Sequence, residues 1–328
     1  MRGKIVIITL LGLLIMSLVL AACDDGMGKG IEHGEKRIVL GFSQIGAESV
    51  WRSANTKSII EAAEESGIEL KFQDAQQRHE NQIKAIRAFI AQQVDVISFS
   101  PVVESGWDAV LKEAKDAGIP VIVADRTVDV KDDSLYVTVI GSDFTEEGRR
   151  CARWLVEKMK GVKEEVNIAE IQGTPGSAPA IDRKKGFEEI LKDYPNFKIV
   201  KTETGDFLRS RGKEVMEEFL KDGDLKIDVL FAHNDDMALG AIEAMEEHGI
   251  KPGKDILIVS VDASRLAFEA MIAGKLNCTV ECNPLIGPQL MKAVRDVVEG
   301  KTLPKRIFVE ESVFPAEVAA EELPNRKY

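Results

Sequence analysis

The sequence predicts an α/β protein of two doubly wound parallel-sheet lobes. Three observations carry that expectation. Apolar runs of strand length alternate with longer segments of helical period, and the series runs through once and then restarts near Thr145. The runs are apolar on both faces, as strands must be when helices cover both sides of a parallel sheet. At 328 residues, 45% of them hydrophobic, the chain fills two cores more readily than one.

The elements follow in order. Arg37 to Phe42 is a short apolar run, Trp51 to Ser66 has helical spacing and stops at Gly67, and Glu69 to Phe72 is a second strand. Asn81 to Gln92 places Ile83, Ile86, Phe89 and Ile90 on one helical face. Val94 to Ser100 is a strand, Gly106 to Ala117 a helix ended by Gly118, and Pro120 to Ala124 and Leu135 to Ile140 are strands. The second series reads helix Thr145 to Met159, strand Glu165 to Ile171, helix Ala180 to Leu191 and strand Phe197 to Thr202. Helices Arg211 to Leu220, Met237 to Gly249 and Ser264 to Ala273 then alternate with strands Asp228 to Ala232 and Ile256 to Val261. A last helix runs from Pro284 to Glu299.

Ahead of the first strand lies a processing segment. Arg2 and Lys4 precede an uncharged apolar run from Ile5 to Ala22, and the run ends Leu20-Ala21-Ala22-Cys23. Basic, apolar and small-residue regions in that order make residues 1–22 a secretory signal peptide. The small-small-Cys ending resembles the bacterial lipobox. That implies a diacylated Cys23 as mature N-terminus and an extracytoplasmic protein held to a bacterial membrane, in the periplasm or at the cell surface, through lipid alone. The alternative is an uncleaved anchor, since about 18 apolar residues nearly span a bilayer. Residues 23–36 then read as the lipidated N-terminus and a Gly-rich, charged, flexible tether.

The formal charge is −12, and −14 once the signal peptide with Arg2 and Lys4 is removed. Such a surface repels phosphate backbones and anionic head groups, which argues against nucleic acid as a partner and against membrane adsorption by the protein body. After Cys23 come Cys151, Cys278 and Cys282, an odd set without zinc spacing. Cys278 and Cys282, four apart in a strand, are too distant to bridge and read as small buried hydrophobes; a bridge to Cys151 stays open. Neither metal nor cofactor is expected.

In an open parallel sheet, ligands bind at the carboxyl ends of the strands. Polar residues just past the apolar runs are Ser43-Gln44, Ser100, Asp125-Arg126, Asn234-Asp235 and Asp262, which converge on the cleft between lobes. A hydroxyl both donates and accepts, so Asp125 beside Arg126 can serve neighbouring hydroxyls; the alternative is a loop ion pair. Trp51 and Arg52 open a helix facing the same cleft. The Trp51 ring offers an apolar face to the C–H side of a sugar ring or packs against the sheet, and Glu48 accepts from hydroxyls or favours the helix N-terminus. Phe207 is either the opposite aromatic face or a buried loop anchor. Asn234 serves a ligand or caps a helix.

From about Arg37 to its end the chain resembles the type I periplasmic sugar-binding proteins, the ribose- and galactose-binding family of ABC importers. The resemblance is carried by Asp125-Arg126 after a Pro-Val-Ile strand, by Asn234 to Gly240, and by Val261-Asp262. Gly41 to Gln44 with Glu48-Ser49 and Trp51-Arg52, Glu80 to Ala85, Pro101 to Val103 with Gly106-Trp107, Ala180 to Phe187 and Gly212 to Glu217 are similar to runs in its galactofuranose-binding members. It implies the periplasmic-binding-protein type I fold with a multi-crossing hinge, with residues 37–142 plus 283–306 as N-terminal lobe and 143–282 plus 307–328 as C-terminal lobe. It also implies a monomeric, non-enzymatic protein that closes on a monosaccharide, galactofuranose or a related aldose, and delivers it to an ABC permease. Sugar-contacting roles carry over to Ser43, Trp51, Arg52, Asp125, Arg126, Arg183, Asn234 and Asp262; Arg183, in a basic helical run, is chosen on this ground alone. Ser100 and Glu281 stand where ribose binders have Asn and Gln, which counts against ribose, and the calcium loop of galactose binders has no counterpart.

Other classes fit less well. A sugar-responsive repressor needs a helix-turn-helix and a basic face. An enzyme using Asp125 and Asp262 as acid and base would stand without any supporting nucleophile, phosphate-loop or metal motif. A sensor subunit that presents the sugar to a chemoreceptor or kinase is the alternative that shares every feature above.

Overall fold

A computed structural model of the chain describes residues 37–221 and 226–328. The expected signal peptide (1–22), the lipidated Cys23 and the tether up to residue 36 lie outside the described residues. The first alternating series is β1 (Val39–Gln44), α1 (Val50–Glu65), β2 (Glu69–Asp74), α2 (His79–Ala91), β3 (Val96–Phe99), α3 (Asp108–Asp116), β4 (Val121–Ala124) and β5 (Thr138–Gly141). The second is α4 (Phe144–Lys158), β6 (Val166–Gln172), α5 (Ala178–Leu191), β7 (Phe197–Thr204), α6 (Arg209–Lys221), β8 (Val229–Ala232), α7 (Asp235–Glu247), β9 (Leu257–Asp262), α8 (Arg265–Ile272) and β10 (Cys278–Glu281). The chain closes with α9 (Gly287–Val298), β11 (Arg306–Phe308), β12 (Val313–Pro315) and α10 (Ala319–Glu322).

Local chemistry explains the boundaries. β3, β4 and β8 are four-residue apolar strands buried along their whole length, which only a doubly covered parallel sheet accommodates. Helices start where a short polar side chain takes a free backbone N–H: Ser49 Oγ accepts from Arg52 N at α1, and Asn234 Oδ1 from Met237 N at α7, each at 3.0 Å.

One sheet orders its strands β11-β5-β4-β3-β1-β2 and the other β12-β10-β9-β8-β6-β7. All neighbours are parallel except β12 against β10. Each sheet is covered on both faces. In the first lobe Leu40, Phe42, Ile59 and Leu290 pack one side, and Phe89, Ile97, Phe99 and Trp107 the other. In the second, Phe187, Phe231 and Cys151 lie on one side, and Met216, Phe219, Met245 and Phe268 on the other. Fully burying one such side chain contributes about 1.5–3 kcal/mol.

The chain passes between the lobes three times: at 142–143, at 282–286 and at 309–312. The third crossing departs from the boundary expected at residue 306. Arg306–Phe308 pairs with β5 as a further strand of the first sheet, so the crossing comes after Phe308. A three-residue edge strand, with Phe308 turned to solvent, carries too little apolar pattern to announce itself. Among the described residues no helix is long and apolar enough to cross a membrane.

Candidate ligand-binding cleft

The facing ends of the two sheets carry backbone conformations that side chains rarely adopt. Asp125 follows β4 at φ +64°, Phe207 lies between β7 and α6 at φ +64°, and Asp262 ends β9 at φ +132°. Each such residue costs of order 1–3 kcal/mol, persists only where its surroundings impose it, and residues of this kind gather at functional sites. At Asp125 the surroundings include Gly141 at the end of β5, where a Cβ would come within 2.3 Å of Asp125 O. Asp125 N donates to Ile140 O at 2.7 Å beside it.

In the first lobe a buried ion network centres on Arg52. Its Nη2 donates to Asp125 Oδ2 (2.7 Å), its Nε to Glu48 Oε1 (3.0 Å), and its Nη1 to Gln44 Oε1 (3.3 Å) and Asn55 Oδ1 (3.4 Å). Every guanidinium nitrogen is engaged, which makes so deep a burial tolerable. Burial alone would lower the Arg52 pKa, but Asp125 and Glu48 overcome it and push it up. Burial also works against the Glu48 carboxylate; Arg52 and Arg126 overcome it and hold the group below its ordinary value. Arg126 donates from Nη1 to Val102 O (3.2 Å) and stands 3.7 Å from Glu48 Oε1. Burial and the Arg52 charge push Arg126 down to about 10, so it stays protonated at neutral pH.

In the second lobe the arrangement depends on two glycines. A Cβ on Gly148 of α4 would lie 2.1 Å from Arg183 O, and one on Gly186 of α5 would lie 1.9 Å from Thr145 O. The helices therefore touch backbone to backbone, and Arg183 Nε reaches Glu147 Oε2 at 2.7 Å. Arg183 Nη1 donates to His233 O at 2.5 Å, while Nη2 makes no hydrogen bond to a described residue. Burial again works against the Arg183 charge, and Glu147 overcomes it. Phe207 occupies space left by Gly173, where a Cβ would fall 1.8 Å from Phe207 Cζ. Its ring receives the Arg126 guanidinium from the other lobe at 5.2 Å and that of Arg183 at 6.0 Å, both within cation–π range.

Asp262 sits above a polar turn. Asp235 accepts from Ser260 Oγ (2.5 Å), Ser264 N (2.8 Å), Ser264 Oγ (2.9 Å) and Thr279 Oγ1 (2.8 Å), and Thr279 Oγ1 accepts from Ala263 N (3.0 Å). Asp235 is thus fully used in holding the turn. The Asp262 carboxylate makes no hydrogen bond to a described residue; its backbone O accepts from Tyr328 OH at 3.0 Å. Burial and the Asp235 charge push its pKa well up, against the pull of Arg183.

Between these groups lies a narrow cavity of about 30 Å³, well below the usual range for ligand pockets. Glu48, Trp51, Arg52, Asp125, Arg126, Arg183, Phe207, Asn234 and Asp262 all line it, so every expected site residue but Ser43 is present. Ser43 is buried on the other side of β1. Gln44 reaches Asn55 and Thr56 of α1, so the strand alternation turns Ser43 with Gly41 toward α2, where Phe89 lies against Gly41. Two other expectations are sharpened. Trp51 does pack as core, against second-lobe residues that include Val280 and Cys282, and its Nε1 donates to Cys282 O at 2.5 Å, but part of it still faces the cavity. Asn234 is a helix cap that also donates from Nδ2 to Phe207 O (3.2 Å).

Ser49, Phe144, Pro179 and Cys282 line the cavity without having been singled out as site residues. Phe144 and Cys282 follow β5 and β10, so the strand-end rule applied to every strand, hinge strands included, would have found them. Pro179, in the first turn of α5, carries no polar signal of that kind. The three described cysteines are free, which closes the open question of a Cys151 bridge.

A family model described as the periplasmic binding protein domain matches residues 40–302. The chain belongs to the periplasmic binding proteins. This periplasmic binding protein is 47% identical over 293 residues to the galactofuranose-binding protein YtfQ of Escherichia coli (strain K12), covering 88% of the chain and 92% of that protein. A solved structure from Mycobacterium smegmatis in complex with β-D-fucofuranose is similar with a TM-score of 0.87 and 55% identity, over 89% of this chain and 95% of that one. The periplasmic component of the arabinose ABC transporter from Shewanella sp. ANA-3, bound to α- and β-L-arabinofuranose, gives 0.85 and 50% over 88% and 95%. The family and the two-lobed type I fold implied by the sequence are the ones found.

Proposed function

We propose that this periplasmic binding protein captures a neutral monosaccharide in its furanose form between its lobes and hands it, unreacted, to an ABC permease, from an extracytoplasmic position held by lipid on Cys23. The observation that carries the reading is the charge balance of the cavity. Arg52, Arg126 and Arg183 stand against Glu48, Asp125, Asp262 and, behind Arg183, Glu147. Among the described residues lining the cavity no cation is left over for an anionic sugar or a phosphate ester, whose buried charge would need one. Among the described lining residues the free positions include donors at Arg126 Nε and Arg183 Nη2 and acceptors at Glu48 Oε2 and Asp262, beside the rings of Phe144 and Phe207. Sugar hydroxyls and C–H faces supply the complements.

Two relatives at 50–55% identity hold five-membered rings in structures that superpose on this one, which supports the furanose form. Binding without turnover is supported by Asp125, which is locked to Arg52 and so is unavailable as a general acid or base. Lobe closure around the sugar would present one closed form to the permease, and the lipid would raise its concentration there.

Titration calorimetry with sugars restricted in ring form tests this. 5-Deoxy-L-arabinose closes only as a furanose, and 4-deoxygalactose cannot close as one. The first should bind and the second should be silent; the reverse order overturns the furanose assignment. Tighter binding of a sugar phosphate than of its parent sugar overturns the neutral-ligand assignment.

A further inference from the structure

The three lobe crossings meet at one side chain. Glu311, in the third, accepts on Oε1 from Ser142 Oγ of the first (2.5 Å) and from Asn283 N of the second (3.0 Å). An oxygen of Glu311, an oxygen of Glu147 and Cys282 Sγ lie within 4.8 Å of one another. Glu147 is fully buried, gives Oε2 to Arg183, and has no hydrogen-bond partner for Oε1 among the described residues.

The charged groups facing Glu311 come from several elements. Arg150 of α4 serves the Glu311 backbone O (2.8 Å), Arg306 of β11 serves Ser142 O, and Arg326 serves Glu281 (2.8 Å), which accepts from Ser312 N (3.2 Å). Arg183 of α5 is already paired with Glu147. Two carboxylates therefore share a largely buried site with one guanidinium, and like charges so close cannot both ionise cheaply.

We propose that Glu311 is a positioning residue that works as a neutral acid, closing the three-strand hinge onto Glu147, which in turn fixes Arg183 at the cavity. Burial and the Glu147 charge push the Glu311 pKa up to about 9, against the pull of Ser142, Asn283 and Arg183. Burial also pushes the Cys282 thiol well up, so it keeps its own proton over the same range. The part of the proposal that concerns the cavity rests on the cleft being the sugar site.

The sign follows from the raised pKa. Where the carboxyl is released it titrates near the ordinary range, so closing the hinge takes up a proton between about pH 5 and pH 9. The hinge is then most favourable at the acid end of that window and weakens as pH rises, by up to about tenfold per pH unit.

Glu311→Gln tests this, since the amide keeps an acceptor for Ser142 and Asn283 and a donor toward Glu147 but cannot ionise. Two readouts compare it with wild type. The melting midpoint of the sugar-free protein should fall between pH 6 and pH 9 in wild type and much less in the Gln variant; this readout stands even if the sugar assignment fails. Calorimetry in buffers of different ionisation heat should show wild type taking up about one more proton per sugar bound than the variant. Parallel pH profiles in the two proteins overturn the proposal. So does a Gln variant as impaired at every pH as Glu311→Ala, or a stoichiometric metal in the purified protein that the Gln variant lacks.

Discussion

Asp125→Asn isolates a charge from a shape. Asn is among the residues that best tolerate the left-handed backbone found at Asp125, and its Oδ1 still accepts from Arg52 Nη2. Only the charge is lost. Arg52 and Arg126 are then left with Glu48 alone, and none of these three is more than 8% exposed. Removing one partner of a buried ion pair costs about 3–5 kcal/mol, and because the hydrogen bond survives, the loss should sit near the lower end, about 3 kcal/mol. Asp125→Ala also gives up that hydrogen bond and places an ordinary side chain at positive φ, so it should lose a further ~1–2 kcal/mol. Urea unfolding of the sugar-free variants measures both losses, as lower midpoints at unchanged slope. Sugar affinity should fall at least about tenfold in each, the equivalent of ~1.4 kcal/mol, because Arg126 is no longer held against the cavity by a balanced pair. An Asn variant within about 1 kcal/mol of wild type, or Asn and Ala variants of equal stability, would refute the reasoning.

Two further outcomes follow from the second lobe. A sugar hydroxyl donating to Asp262 favours its charged form, so binding lowers a pKa that burial has raised, and affinity should fall as pH drops through the free-protein pKa; titrations at stepped pH should find this acid limb missing in Asp262→Asn. Gly148→Ala puts a methyl 2.1 Å from Arg183 O, which should cost about 1–3 kcal/mol and weaken sugar binding together with stability, whereas an unchanged melting midpoint and affinity would mean that α4 and α5 separate freely.

The lobes and most of the cleft were readable because buried parallel strands leave a plain signal. β4 and β8 are four apolar residues followed directly by polar ones, Asp125-Arg126 and His233-Asn234, so the strand-end rule reached residues that line the cavity, Asp125, Arg126 and Asn234. What it could not resolve was which way a strand-end side chain points. Ser43 and Gln44 are neighbours, yet one faces α2 and the other holds Arg52, because a strand alternates at every residue and its register is set by the sheet. Arg183 was reached through resemblance, since in Asp182-Arg183-Lys184-Lys185 helical periodicity alone does not distinguish the inward residue. The deciding features, Gly148 and Gly186, lie on two helices whose approach is a tertiary fact. The hinge cluster was still less visible. Ser142, Cys282 and Glu311 come from three separate crossings, and no local pattern joins them.

The distribution of contacts explains why a ligand would control closure. Arg52 and Arg183 are each neutralised within their own lobe, by Glu48 and Asp125 and by Glu147. The direct bonds between lobes among the described residues are few: Val50 N to Asp236 Oδ2 (2.8 Å), Trp51 Nε1 to Cys282 O (2.5 Å), Glu104 N to Gly176 O (3.0 Å), and Arg126 over Phe207 (5.2 Å). Each hydrogen bond of that kind is worth about 0.5–1.5 kcal/mol net, and the cation–π contact about 0.5–2 kcal/mol. Together they supply only a few kcal/mol, and closure also buries Asp236, whose carboxyl is pushed up by burial against the bond from Val50 N. A sugar that bonds Arg126 on one side and Arg183 and Asp262 on the other touches both lobes only when they are closed. Its full contact energy is therefore differential between the two states, the condition under which a small ligand can shift such an equilibrium.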